Sequence, residues 1–213
     1  MTEETMNIHK ALCELKILDD RIRRTIDSAS FMVAANKSAE QIEGMSKEDY
    51  AKNAKAADQK IKDLINRRSA IKRAIVLSNA TIEVTVAGKT MTVAEAIDEK
   101  NNGIKLWKNY LDELTAEYER AHYELEKNSG ENLQNKCEAY IRSLFGSSES
   151  KFETDAIAAL KKDYLDTHEF VLIDPIKVAS IMNSLQEYCD AFFAEVDSAL
   201  STSNALTTIT IKY

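Results

Sequence analysis

A chain of 213 residues with 28 Lys and Arg against 35 Asp and Glu carries a formal net charge of −7, and only 5 Gly and 1 Pro punctuate its length. That composition excludes a collagen, a disulfide scaffold or low-complexity disorder, and turn formers are too scarce for a barrel or sandwich of many hairpins. With 44% apolar and 30% charged residues, long helices around a real core remain, and the net charge argues against DNA or RNA as a partner, leaving room only for a local basic site.

The opening Met1, Thr2, Glu3, Glu4, Thr5 and Met6 lack the basic and apolar regions of an export signal, and no later apolar run approaches the roughly 18 residues of a spanning helix. The expectation is a cytoplasmic chain with no membrane partner. Cys13, Cys137 and Cys189 each sit among apolar residues at helical spacing and read as reduced core thiols.

A first helix carries the stripe Leu12, Leu15, Asp19, Ile22, Ile26 and Ala29. A second starts at Ser46, with Asp49 three residues on, and carries Ile61, Leu64, Arg68, Ile71 and Ile75. Between them a capping box over 38–41 and Gly44 mark the bend of a helical hairpin over about 35–46. Antiparallel helices folded about Gly44 pair residues whose numbers sum to about 87, so Asp19 faces Arg68 where both stripes break. That is the pattern of a buried carboxylate–guanidinium pair that fixes register and is costly to break from one side.

After Ser78, Asn79 and Ala80, apolar Ile82, Val84 and Val86 alternate with polar residues as in a half-buried strand; Ala87 and Gly88 turn, and 90–92 return. Thr92 and Glu95 cap the next helix. There Ile97, Ile104, Leu111, Tyr118 and Leu125 recur every seven residues, with Lys100, Trp107, Leu114 and Ala121 three after the first four. Such a rod over about 93–127, on the order of 50 Å long, calls for a partner rod, and Ile104, Trp107, Leu111, Leu114 and Tyr118 are the expected seam of a homo-oligomer.

Shorter helices follow. One carries Leu133, Cys137, Tyr140, Ile141 and Leu144; the next is capped by Ser150 and Glu153 and carries Phe152, Ile157, Leu160 and Tyr164. Residues 170–173 form an apolar connector, and Asp174 with Pro175 opens a last helix with the stripe Val178, Ile181, Leu185, Tyr188, Phe192, Val196 and Ala199. Ser-Asn-Ala closes helices at 78–80 and again at 203–205, with Asn79 and Asn204 as left-handed terminators before β-type alternation. The sum is mainly α: a single elongated helical domain over 1–213, an antiparallel bundle or coiled coil. It carries a small three-stranded sheet, made by a hairpin over 81–92 and a C-terminal strand over 206–213, and a helical insertion over 129–175.

The run Ser78-Asn79-Ala80-Thr81, then 88–97 opening a long helix, then Glu195, Val196, Asp197 and Leu200 leading into Ser203-Asn204-Ala205 with Thr207 and Thr208, resembles an uncharacterised family of bacterial and phage helical proteins, some labelled septicolysin. The resemblance spans about a third of the chain and stops short of 129–175. It implies an elongated antiparallel bundle with a small β element and an oligomer. It supplies no catalytic residues, and the cytolysin label asks for a membrane-seeking segment that the sequence does not display.

Glu119 and His122 make one Glu-x-x-His where a di-iron bundle needs two, and His9 and His168 stand alone, so no metal or cofactor is expected. With no glycine-rich phosphate loop, nucleophile elbow or Cys-x-x-Cys, an enzyme is not expected either. The chemical oddity is a basic run, Lys60, Lys62, Arg67, Arg68, Lys72 and Arg73, with Arg23 and Arg24 on the helix expected beside it. Guanidinium groups on rigid helices hold phosphate or carboxylate bidentately, although charge runs on helices are more often solvated faces. The candidate ligand-binding set is Arg67, Arg68, Arg73, Asn79 and Asn204. The expected function is a non-enzymatic, homo-oligomeric binding protein of phage or prophage type that sequesters a small anionic, nucleotide-like signal as an anti-defence sponge. The alternative is a phage structural or interaction component built on its coiled coil.

Overall fold

The computed structural model describes residues 3–146 and 154–213, so the expected cap by Ser150 and Glu153, and Phe152, lie outside the described residues. The chain is mainly helical and divides into two compact units, one of Met1–Asn102 with Ala191–Tyr213, the other of Gly103–Asp190.

In the first unit, strand β1 (Glu3–Asn7) leads into helix α1 (Ile8–Asp27), whose N-cap Asn7 accepts a hydrogen bond from the Lys10 N–H at 2.8 Å. Two short strands, β2 (Gln41–Ile42) and β3 (Met45–Ser46), meet in a tight turn with Glu43 and Gly44 at φ 50° and 80°. The expected bend is therefore a miniature β-hairpin, and no helix forms over 38–41. Ser46 caps helix α2 (Lys47–Asn79) by accepting the Asp49 N–H at 3.1 Å.

Helices α1 and α2 bury Ala11, Leu18, Leu64, Ile71 and Ile75 with Met6, Ile8, Ile209 and Ile211, and Leu15 and Ile22 pack on that cluster. The inward stripe of α1 is thus rotated from the expected one, for Leu12 and Ile26 are 37% and 44% exposed. The rotation has a cause. The helix starts at Ile8 and must bury Ile8 and Ala11 against the β1 ribbon, which the helical period then continues through Leu15, Leu18 and Ile22.

Strands β4 (Glu83–Val86) and β5 (Lys89–Thr92) form the expected hairpin, its turn residues Ala87 and Gly88 both at positive φ, 50° and 72°. Both halves of the capping box are present: the Glu95 N–H donates to Thr92 Oγ1 at 3.2 Å and the Thr92 N–H to Glu95 Oε2 at 2.7 Å. The three-stranded sheet does not form. Strand β6 (Thr208–Lys212) pairs antiparallel with β1, Glu3 opposite Lys212 and Asn7 opposite Thr208, leaving β4 and β5 as a separate two-stranded ribbon. Helix α7 (Val178–Leu206) runs through Ser203, Asn204 and Ala205. Neither Asn79 nor Asn204 is left-handed, and α2 ends instead on Ala80 at φ −78°.

The expected rod is interrupted. Helix α3 (Val93–Asp98) passes into a π-helical turn, Glu99–Gly103, before helix α4 (Ile104–Lys127). A π turn accommodates an extra residue, and each residue rotates a helix face by about 100°. The seven-residue repeat therefore changes face across it, with Ile97 37% exposed and Ile104 fully buried.

In the second unit α4 turns at Asn128 and Ser129 into α5 (Gly130–Phe145), and α5 packs on α6 (Thr154–His168) around Cys137, Ile141 and Ile157. Ile104, Leu111 and Leu114 are buried within one chain, whereas Trp107 and its neighbours Leu106 and Tyr110 are 43%, 70% and 42% exposed. The expected seam of Ile104, Trp107, Leu111, Leu114 and Tyr118 is thus largely core, and the face left open lies beside it. The Asp174 carboxylate accepts the Val178 N–H at 3.0 Å, so the last helix starts a few residues after Pro175.

Candidate functional site

The expected ligand set separates into partners already engaged and residues standing apart. Arg67 is the most enclosed cation of the basic run, its side chain 18% exposed. Its Nη2 donates to Glu4 Oε2 at 2.8 Å, its Nε to Glu14 Oε1 at 2.5 Å and its Nη1 to the Tyr213 hydroxyl, while its guanidinium lies 4.8 Å from the centroid of the Tyr213 ring. The Glu14 hydrogen bond, against the opposing effect of burial, raises the Arg67 pKa further above its ordinary value, and the Arg67 hydrogen bond holds the Glu4 carboxyl below the usual range.

Arg68 makes the expected direct contact with Asp19, Nε to Oδ1, but the two side chains are 42% and 49% exposed. That pair lies at the surface, and the more enclosed charge cluster, itself only partly buried, lies one residue earlier, at Arg67. Arg73 stands in a groove with Leu77, Glu3 and residues 209–212. Asn79 ends α2 with its Oδ1 buried and without a hydrogen-bond partner among the described residues. Asn204 lies within α7, ahead of the other ribbon, so the two asparagines do not flank one sheet.

Cations do converge elsewhere on the same helix pair. Ile17, Arg21 and Arg24 recur along one face of α1, which its C-cap Ser28 continues, and with Asp20 and Thr25 of α1 and Lys60 of α2 they line a cleft of about 490 Å³. Three cations against one carboxylate give this spot a net +2 in a chain of −7. The hydroxyl protons beside it point away: Thr25 donates to the Arg21 carbonyl at 2.7 Å and Ser28 to the Thr25 carbonyl at 3.4 Å. An entering anion is therefore met by the guanidinium and ammonium groups. A second hollow of about 380 Å³ shares Thr25, Ser28 and Lys60 and continues toward Ser30, Tyr50 and Asn53. There the Ser30 hydroxyl donates to Glu43 Oε1 and lies 3.1 Å from the Tyr50 hydroxyl.

The sequence reading named Lys60 and Arg24 but not Arg21. The available signal was the three-residue spacing of Arg21 and Arg24, which places both on one helix face.

Among the described residues no three His, Cys, Asp or Glu side chains gather as metal ligands would, and no helix is long and apolar enough to cross a membrane. The His122 ring lies 4.1 Å from the Tyr118 ring between centroids, tilted by 42°, and His168 stacks on Tyr164 at the same distance. Cys13 is exposed, unlike the buried Cys137 and Cys189, so it is not the core thiol expected. Set against known protein families, curated proteins and solved structures, the chain matches none.

Proposed function

We propose that the chain is a non-enzymatic binding protein that holds a small phosphorylated anion in the cleft of Arg21, Arg24 and Lys60. The observation that carries this reading is the convergence of three cations from two packed helices on one concave site in an acidic protein. Arg67 and Arg68 serve the fold in this reading, since carboxylates already occupy them. The resemblance described above supports extending it to a homo-oligomeric, phage-type sponge for a nucleotide-like signal in the host cytosol.

The test is calorimetric titration with inorganic pyrophosphate and with a panel of nucleotides at two salt concentrations. Binding is expected to weaken with salt and to fall at least tenfold in Arg21→Gln/Arg24→Gln and in Lys60→Glu, while Arg73→Gln, outside the cleft, leaves it unchanged. Equal affinity in all four proteins overturns the assignment.

A second reading, an interaction component that associates through α4, draws on the open face of Leu106, Trp107 and Tyr110. It requires that Leu106→Glu/Tyr110→Glu lower the mass seen in light scattering.

A further inference from the structure

The trough between β4 and α7, about 650 Å³, has a strand for one wall and a helix for the other, and its first wall is formed by four consecutive residues, Ile82 and the first three of β4, Glu83, Val84 and Thr85. Successive side chains of a strand point to opposite faces. A trough bordered by all four therefore runs along the strand's edge. The register agrees: Val86 pairs with Lys89 across the two-residue turn and Val84 with Met91, so these pairs carry the ladder's hydrogen bonds. The N–H and C=O groups of Glu83 and Thr85 point the other way, out of the β4–β5 ladder. Further along this edge the Ala87 N–H, which also points outward, donates to Glu195 Oε2 of α7 at 2.7 Å. The open edge thus faces α7, whose near side offers Ala194, Ser198, Ala199 and Thr202, short side chains that leave the trough vacant.

We infer that this trough takes an extended, basic peptide segment of a partner protein, added antiparallel or parallel to β4 as a third strand. An extended backbone is what answers donors and acceptors at alternate residues of a strand edge. The charge of the trough selects the partner. Two carboxylates, Glu83 and Glu195, line it and no Lys, Arg or His does, so the segment carries Lys or Arg, and the anion of the α1–α2 cleft is repelled here. The chain's own exposed apolar connector, 170–173, is flanked by Glu169 and Asp174 and has the wrong charge for a second copy to supply it.

The experiment pans a displayed random heptapeptide library on the full chain and resynthesises the enriched peptides. Expected are sequences with Lys or Arg, whose binding shifts the Glu83 and Thr85 amide resonances and slows their hydrogen exchange. N-methylation at alternate peptide positions should cost tenfold or more, and at the intervening positions little. Ala199→Trp and the more exposed Ser198→Tyr, which fill the trough, should abolish binding with helical circular dichroism unchanged. No enrichment, acidic peptides, indifference to N-methyl position, or amide shifts confined to other residues each overturns the proposal. The N-methyl series uses the unaltered chain, so it decides the matter even if a trough-filling variant fails to fold.

Discussion

Arg67→Ala and Arg68→Ala, at adjacent positions of α2, should differ sharply in stability although each removes one guanidinium from an ion pair. Arg67 is 18% exposed and ties β1, α1 and the C-terminal Tyr213 to α2 through Glu4 and Glu14. Removing one partner of a buried pair costs about 3–5 kcal/mol, because the remaining charge stays desolvated. Here Glu4 and Glu14 keep 33% and 21% of their side-chain surface, so water partly replaces the lost donor, and the expected cost of Arg67→Ala is about 2–3 kcal/mol. In a chain of this size that is a fall in Tm of roughly 5–10 °C. Arg68→Ala, at a half-exposed pair, should move Tm within the scatter of the measurement. Thermal melts followed by circular dichroism decide the matter, with Arg67→Met/Glu14→Leu expected to recover part of the loss, since the double change removes one of the two carboxylates left without Arg67 and keeps the volume. Equal losses at 67 and 68 would refute the placement of the more enclosed charge at Arg67.

Acid should weaken the first unit. Arg67 holds Glu4 below its ordinary 4.5, Arg68 holds Asp19 below 3.8, and the Thr92 N–H and hydroxyl hold Glu95 below 4.5. A depressed folded pKa stabilises above the unfolded value and loses that contribution as pH falls through the folded one, so Tm should drop below about pH 4.5 and the drop should be shallower in Arg67→Met; parallel curves contradict this. Gly88→Val should cost about 1 kcal/mol or more because φ is +72°, whereas Gly88→Asn, which tolerates that region, should be nearly neutral; the discriminating outcome is a difference between the two in urea melts. Trp107, 43% exposed, should emit like a solvated indole and be quenched by acrylamide at all concentrations, and shielding that disappears on dilution would return it to a seam between copies.

What the sequence disclosed was local or followed from helix geometry. Ser46 with Asp49 and Thr92 with Glu95 announce helix starts within four residues, and Gly88 announces its turn. The contact of Asp19 with Arg68 was legible because two antiparallel helices and one bend fix a numerical register. Strand β1 was not legible: it buries Met6 alone, and its partner lies about two hundred residues away. That omission spread. Without β1, Glu4 had no place near α2, so Arg67 read as a free cation for a ligand and the burial was assigned to Arg68. The π turn was hidden because the seven-residue repeat continues in sequence through Glu99–Gly103 while the face it describes rotates. The cleft at Arg21, Arg24 and Lys60 needed both helices in place before the three charges could be seen to converge.

The pairing of β1 with β6 also sets a timetable for synthesis. Thr5 lies opposite Thr210, a separation of 205 residues. At roughly 5–20 residues per second a ribosome takes about 10–40 s to make that stretch. Throughout the interval the nascent β1 edge, Glu4 and Met6 wait for the strand that completes their sheet, while the contiguous residues Gly103–Asp190 emerge whole and can fold on their own schedule. Maturation of the first unit therefore waits for β6 to emerge, and a chain stalled anywhere before residue 208 carries a half-built α1–α2 pair, its Ile71 and Ile75 uncovered and its Arg67 without Tyr213, in the form that chaperones and proteases recognise.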